Sequence, residues 1–258
     1  MQSDFKRAFN TVSSALAVFA KLIVNFIHSL EYLLTARIFF PNLVSYAARF
    51  ISSVTLPTIV IAIALGVVIG VQLGPQFVSK GVGAKLGILS ILTMSRELVP
   101  IMGGFMIATQ YGTAITAEIA NMQITEQLDA LKILKINPIY YLVLPALIAG
   151  VVLAPLVFWL AVMSGTYSTF LTVWLNEGLV WSSFQSGIIS FFHISDILLC
   201  LTKSLIFTCL IVIISATIGM NVSKGGAREV GTATTTTVIV GFITVIISDL
   251  ICTMVYLG

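Results

Sequence analysis

The sequence predicts an all-α polytopic membrane protein, with an N-terminal interfacial amphipathic helix, about five transmembrane helices and a cytoplasmic coupling helix between spans two and three. Three observations lead there. Of 258 residues, 58% are hydrophobic and 9% charged, with a mean hydropathy of +1.08. The apolar residues gather into repeated runs of about 20, the length that crosses a bilayer as a helix. Finally, one long polar stretch, AEIANMQITEQLDALKILKINP from Ala117 to Pro138, stands alone between strongly apolar ones.

From about Asp4 to Leu34 the apolar pattern is interrupted near helical spacing by Ser14, Lys21, Asn25, His28 and Tyr32. A helix lying in the membrane interface accommodates that polar stripe. A span would have to bury Lys21, His28 and Glu31. Residues 1–50 are therefore read as an interfacial helix with a lead-in region marked by Arg37, Pro41 and Arg49, and residues 51–258 as the transmembrane domain.

Span one is expected over Ser52–Leu73, where Pro57, Gly66 and Gly70 allow a kink and a close neighbour. Span two is expected over Leu86–Tyr111 and span three over Ile139–Met163. Gly165–Ile194 mixes Tyr167, Phe170, Trp174, Trp181 and Phe184 with Ser and Thr, which predicts surface-lying or re-entrant helices. Spans four and five are expected over Ile197–Met220 and Thr232–Tyr256, joined by the tight polar loop SKGGAREVG. Most Lys and Arg outside the apolar runs fall on one side, and only Lys80 and Lys85 on the other. That bias places the N-terminus in the cytoplasm and the C-terminus outside.

In the polar stretch, Ile124, Leu128, Leu131 and Leu134 recur at helical spacing, and Glu118, Glu126, Asp129, Lys132 and Lys135 form a charged face. The expected helix covers about residues 115–137. It is either a solvated connector or a lever that docks a soluble partner.

Several chemistries are disfavoured. The net charge of +3 is small and dispersed, which gives no footprint for nucleic acid. No G-x-x-x-x-G-K-[ST] loop appears, so ATP is not bound by that route. Cys200, Cys209 and Cys252 sit inside apolar runs as small core residues, and the two histidines lack metal-ligand spacing. No Ser or Cys has a recognisable His partner, so neither catalytic nor metal-binding residues are assigned. The N-terminus lacks the pattern of a cleavable signal peptide.

Arg96, Glu97, Lys203 and Asp249 fall inside apolar runs, where a charge costs about 2.5–3.5 kcal/mol and normally has a partner or a wet cavity. At about 1.5 Å per residue all four fall in one layer, in the middle or outer half of the bilayer. Two are positive and two negative. Lys203 with Asp249 is the simplest cross-helix pair, and the adjacent Arg96 and Glu97 are expected to pair elsewhere. They form either a register-fixing ion network or the polar floor of a transport cavity. Leu65, Val68, Ile69 and Leu73, on span one, are candidates for lipid contact or, equally, ordinary lipid-facing or core positions.

The stretch LTMSRELVPIMGGFMIATQYGTAITAEIANMQITEQLDALKILKINPIYYLVLPALIAG, together with IGMNVSKGGAREVGTATTTTVIVGFITVIISDLI, resembles the MlaE permease family, the membrane subunits of ABC phospholipid transporters that maintain outer-membrane lipid asymmetry. The similarity covers essentially everything after Pro57. It implies a non-catalytic subunit of the bacterial inner membrane that forms a homodimer. The implied partners are an ABC ATPase subunit that binds ATP and Mg, a periplasmic ring of MCE-domain subunits and a small cytoplasmic STAS-domain subunit. It implies an outward-open cavity for phospholipid above Arg96, Glu97, Lys203 and Asp249. It also places Glu118, Met122, Glu126 and Asp129 on the helix that couples to the ATPase. Two rivals remain at this stage: a stand-alone secondary lipid transporter or scramblase using the buried charges, and an intramembrane lipid enzyme.

Overall fold

A computed structural model describes residues 36–223 and 225–257. The interfacial helix expected over Asp4–Leu34 lies outside the described residues. Among those described, the chain is helical throughout, with no strand, and five helical stretches are long and apolar enough to cross a membrane: Phe40–Ser79, Gly83–Ile124, Ile139–Glu177, Ile194–Met220 and Ala227–Tyr256. In order, the helices are α1 (Ala36–Phe50), α2 (Leu56–Ser79), α3 (Gly83–Thr93), α4 (Val99–Met106), α5 (Thr113–Ile124), α6 (Gln127–Ile133), α7 (Leu144–Glu177), α8 (Trp181–Phe191), α9 (Ile194–Met220) and α10 (Ala227–Leu257).

Four of the junctions between these helices are π-helical: Ile51–Thr55, Met94–Leu98, Ile107–Gly112 and Ile139–Val143. Three of the four are followed, two residues on, by a proline: Pro57, Pro100 and Pro145. A proline has no N–H for the carbonyl four residues earlier, so the preceding turn widens. Accordingly Val99 N bonds Met94 O and Leu144 N bonds Ile139 O, each reaching back five residues. The freed carbonyls find side-chain donors. Lys203 Nζ donates to Arg96 O at 2.5 Å, and Asn42 Nδ2 donates to Tyr141 O at 3.2 Å. The residues four before Pro100 and Pro145 are thus kept in register without a backbone partner.

The described residues form two compact units. One contains 36–53, 107–153 and 207–245. Its centre is the edge-to-face pair of Phe50 and Tyr111, with ring centroids 4.9 Å apart, and Tyr111 Oη donates to Ala146 O at 2.8 Å. Ile213, Ile214, Ile218, Ala233 and Val240 add an aliphatic cluster. Thr116 and Thr237 share a buried hydroxyl hydrogen bond of 2.8 Å, which satisfies two polar groups inside it.

The other unit contains 54–106, 154–206 and 246–257. Gly66, Gly70 and Gly74 lie at four-residue spacing on one face of α2, and a Cβ at any of them would collide with α7, at Gly165 and Ser168, Thr172, or Val173. This approach lets Ser168 Oγ donate to Ile63 O at 2.9 Å and Thr169 Oγ1 to Gly66 O at 3.0 Å. The expected close neighbour of span one is therefore α7. Gly87 and Gly187 bring α3 and α8 together in the same way, each against the other helix's backbone.

Two expectations about span ends change. Gly165–Ile194 is not a run of surface helices from its start, because α7 continues unbroken to Glu177. Its hydroxyls do not break it: Ser164, Ser168, Thr169 and Thr172 each bond a carbonyl three or four residues back. Phe170 turns inward onto Trp181 and Phe184, and Tyr167 and Trp174 face out. The polar stretch after span two is likewise not one helix. Its first part is α5, continuous with span two. Glu126 then takes φ 60°, α6 follows for seven residues, and Lys135 again takes φ 60°. Thr125 Oγ1 closes the end of α5 on Asn121 O at 2.8 Å, and Asn137 Oδ1 accepts from Ile139 N at 3.0 Å to start the next helix. A left-handed residue other than Gly costs roughly 1–2 kcal/mol, and apolar periodicity that resumes after one such residue reads as continuous.

Candidate functional site

The second unit brings together Arg96, Glu97, Lys203 and Asp249. Lys203, on α9, has no exposed side-chain surface. Its Nζ lies 2.7 Å from Asp249 Oδ1, 2.9 Å from Thr253 Oγ1 and 3.4 Å from Glu97 Oε1, besides the bond to Arg96 O. The short Asp249 contact is the principal ion pair, and the long Glu97 contact is secondary. Thr253 Oγ1 donates to the same Glu97 oxygen at 3.0 Å. An ammonium has three protons, so these acceptors saturate it.

Arg96 turns to a residue that the sequence reading missed. Asp196, at the first turn of α9, accepts Arg96 Nε at 2.8 Å and Nη2 at 2.7 Å on Oδ1. Its Oδ2 accepts His193 N at 3.1 Å, as an acid at the third helical position does when it caps the helix start. Tyr256 Oη donates to Asp196 Oδ1 at 3.2 Å, and the Arg96 guanidinium sits 5.5 Å from the Tyr256 ring centroid. The signal was present as His193-x-x-Asp196 opening an apolar run. The balance of two cations against two anions among the other four charges hides the need for it.

Arg96 and Glu97, expected to pair elsewhere, both line one pocket of about 270 Å³ with Leu92, Thr93, Leu199, Thr253 and Tyr256. Their side chains are 34% and 40% exposed, whereas those of Lys203, Asp196 and Asp249 are buried behind them. The pocket can hold a polar group against a guanidinium and a carboxylate, inside segments otherwise fit for hydrocarbon.

The four expected coupling residues are divided by the break: Glu118 and Met122 lie on α5, Glu126 at the turn and Asp129 on α6. Glu118 is engaged within the first unit, in an ion pair with Arg49 Nη1, and Arg49 in turn lies 5.5 Å from the Tyr46 ring. Met122 is half-buried. Glu126 occupies the left-handed turn, and Asp129 pairs with Lys132 at 2.9 Å. Ile133 and Leu134, at the end of α6, are instead 82% and 68% exposed. They lie between two candidate spans, where large apolar side chains normally find cover.

Of the four candidates for lipid contact or core packing on span one, Leu65, Ile69 and Leu73 are half-buried, and Leu73 packs on the core of Leu86, Phe170, Val173 and Phe184. Val68 alone is on the open face of α2, with Val60, Ile63, Val67 and Val71. The glycine stripe opposite was the sequence signal for that face.

A family profile described as Permease MlaE matches residues 43–255. A probable ABC transporter permease protein of Synechocystis is 34% identical over 194 residues, spanning 72% of this chain and 70% of that protein. A probable ABC transporter permease protein of Porphyra purpurea is 33% identical over 182 residues, 70% of this chain and 69% of its own. One from Rickettsia typhi is 31% identical over 188 residues, 73% and 72% respectively.

Proposed function

The chain belongs to the MlaE permease family, as an ABC transporter permease, and from that premise we propose that it is the membrane subunit of an ATP-driven transporter that moves phospholipids between the bacterial inner membrane and periplasmic MCE-domain carriers, maintaining outer-membrane lipid asymmetry. The observation that carries this reading is the pocket in which Arg96 and Glu97 are presented within membrane-spanning helices and backed by Asp196, Lys203 and Asp249. Ionic groups there need a partner, a wet cavity or a polar ligand, and Arg96 and Glu97 keep exposed surface besides their partners.

The reading requires other subunits. Two copies of this chain form the dimer, with the N-terminus cytoplasmic and the C-terminus periplasmic. An ATPase subunit supplies hydrolysis and holds ATP and Mg. An MCE-domain ring receives the lipid, and a STAS-domain subunit sits with the ATPase. Ile133 and Leu134 are the side chains that the ATPase covers, and Arg49–Glu118 ties the docking region to α1. Purification in mild detergent followed by reconstitution tests the whole. The expected result is recovery of an ATPase and an MCE-type protein with bound phospholipid, and lipid transfer that stops without ATP. Lipid movement by this chain alone, independent of ATP, would instead establish a secondary transporter or scramblase.

A further inference from the structure

Three features of the pocket bear on the ligand it takes. The first concerns the guanidinium. Asp196 occupies Nε and Nη2 of Arg96, and Tyr256 lies against the guanidinium. Nη1 has no protein partner among the described residues, and Arg96 lines the pocket. A buried carboxylate that fixes a guanidinium on one edge leaves the other edge pre-aimed, with little rotamer entropy left to lose on binding. The second concerns the carboxylate. Glu97 Oε1 receives both Thr253 and Lys203, while the side chain stays 40% exposed toward the same pocket. The third is the formal charge. Arg96 and Lys203 are opposed by Glu97, Asp196 and Asp249, so the cluster is one positive charge short, and the group within a ligand's reach is Glu97.

A pocket with a fixed N–H donor beside an under-compensated carboxylate complements a group with a negative oxygen and a cationic nitrogen a few atoms apart. A singly anionic ligand would deepen the charge deficit, whereas a zwitterion leaves the net charge unchanged and can set its ammonium against Glu97. We infer that this pocket is a receptor for the zwitterionic headgroup of an aminophospholipid: Arg96 Nη1 donates to a phosphoryl oxygen, Glu97 accepts the terminal ammonium, and Asp196 is a positioning residue that acts through Arg96. Its volume of about 270 Å³ is below the range of drug-sized sites and of the scale of a headgroup. The inference rests on the phospholipid reading above and specifies which headgroup class that site prefers.

The test uses the full chain with the subunits that accompany it, reconstituted in nanodiscs of phosphatidylethanolamine, phosphatidylglycerol and N-acetylated phosphatidylethanolamine in equal amounts with matched chains. Bound lipid is quantified by native mass spectrometry. The native protein is expected to hold phosphatidylethanolamine roughly tenfold over the other two, the discrimination of one charge-assisted hydrogen bond. Acetylation removes the ammonium and needs no mutation, so this arm does not depend on a variant folding. Glu97→Gln keeps the shape and is expected to erase the preference by lowering phosphatidylethanolamine occupancy to that of the other two lipids. Asp196→Asn is expected to lower occupancy by all three lipids, with Asp196→Glu restoring part of it. Equal occupancy by the three headgroups in the native protein, or an undiminished preference in Glu97→Gln, overturns the inference and leaves phospholipid transport standing. Absence of bound phospholipid overturns the transport reading itself.

Discussion

Lys203 Nζ donates to the carbonyl of Arg96 at 2.5 Å, the carbonyl that Pro100 leaves without its helical N–H. One ammonium thereby serves two purposes: it closes a break in the second span and it neutralises Asp249. A buried charge that also caps a backbone group cannot be replaced by charge alone, and the first two predictions follow from that.

Removing Lys203 leaves Asp249 buried and unpaired, a loss of about 3–5 kcal/mol, and removing Asp249 leaves Lys203 only the longer Glu97 contact. Lys203→Ala is expected to exceed Asp249→Asn, since it orphans the Arg96 carbonyl as well. The exchange Lys203→Asp with Asp249→Lys is expected to recover only part of the stability. Thermal unfolding in nanodiscs reads all three. Full recovery by the exchange would show that the carbonyl contact contributes nothing.

Pro100→Ala supplies an N–H to the Arg96 carbonyl. In that background Lys203→Met is expected to cost less than it does alone, with a coupling of at least about 0.5 kcal/mol in a double-mutant cycle. Strict additivity would separate the π-helical segment from Lys203.

At the coupling surface, Ile133→Asp with Leu134→Asp is expected to weaken ATPase binding by at least about a hundredfold, the scale of losing two buried aliphatic side chains. Glu126→Lys with Asp129→Lys is expected to do less, because Asp129 is already paired with Lys132 and exposed pairs contribute about 1 kcal/mol or less. The measurement is co-purification of the ATPase with the dimer intact. A larger effect from the acidic pair would return the docking role to the charged face.

A photo-crosslinking residue at Val68 is expected to capture phospholipid, one at Leu73 to capture less, and one at the fully buried Leu86 none. Equal labelling at Val68 and Leu73 would mean that α2 leaves its packed position on α7.

The sequence by itself determined the all-helical membrane class, because hydrocarbon demands long apolar helices with internally satisfied backbones, and that demand is written in composition and run length. It also determined that Lys203 and Asp249 pair and that the glycines of span one meet a close neighbour, since a buried charge needs an opposite one and a missing Cβ leaves room for a helix. Only the tertiary structure decided the rest. Asp196 completes the Arg96 site across 100 residues of sequence, a distance over which pairing cannot be read from one chain. Glu118 is taken by Arg49 while Ile133 and Leu134 stay exposed, because exposure is set by what packs nearby and not by residue type. The polar stretch breaks at Glu126 because a single left-handed residue redirects the backbone without disturbing the apolar period on either side. Arg96 and Glu97, a helical step apart in the sequence, line one pocket in which two other helices, α9 and α10, supply their partners.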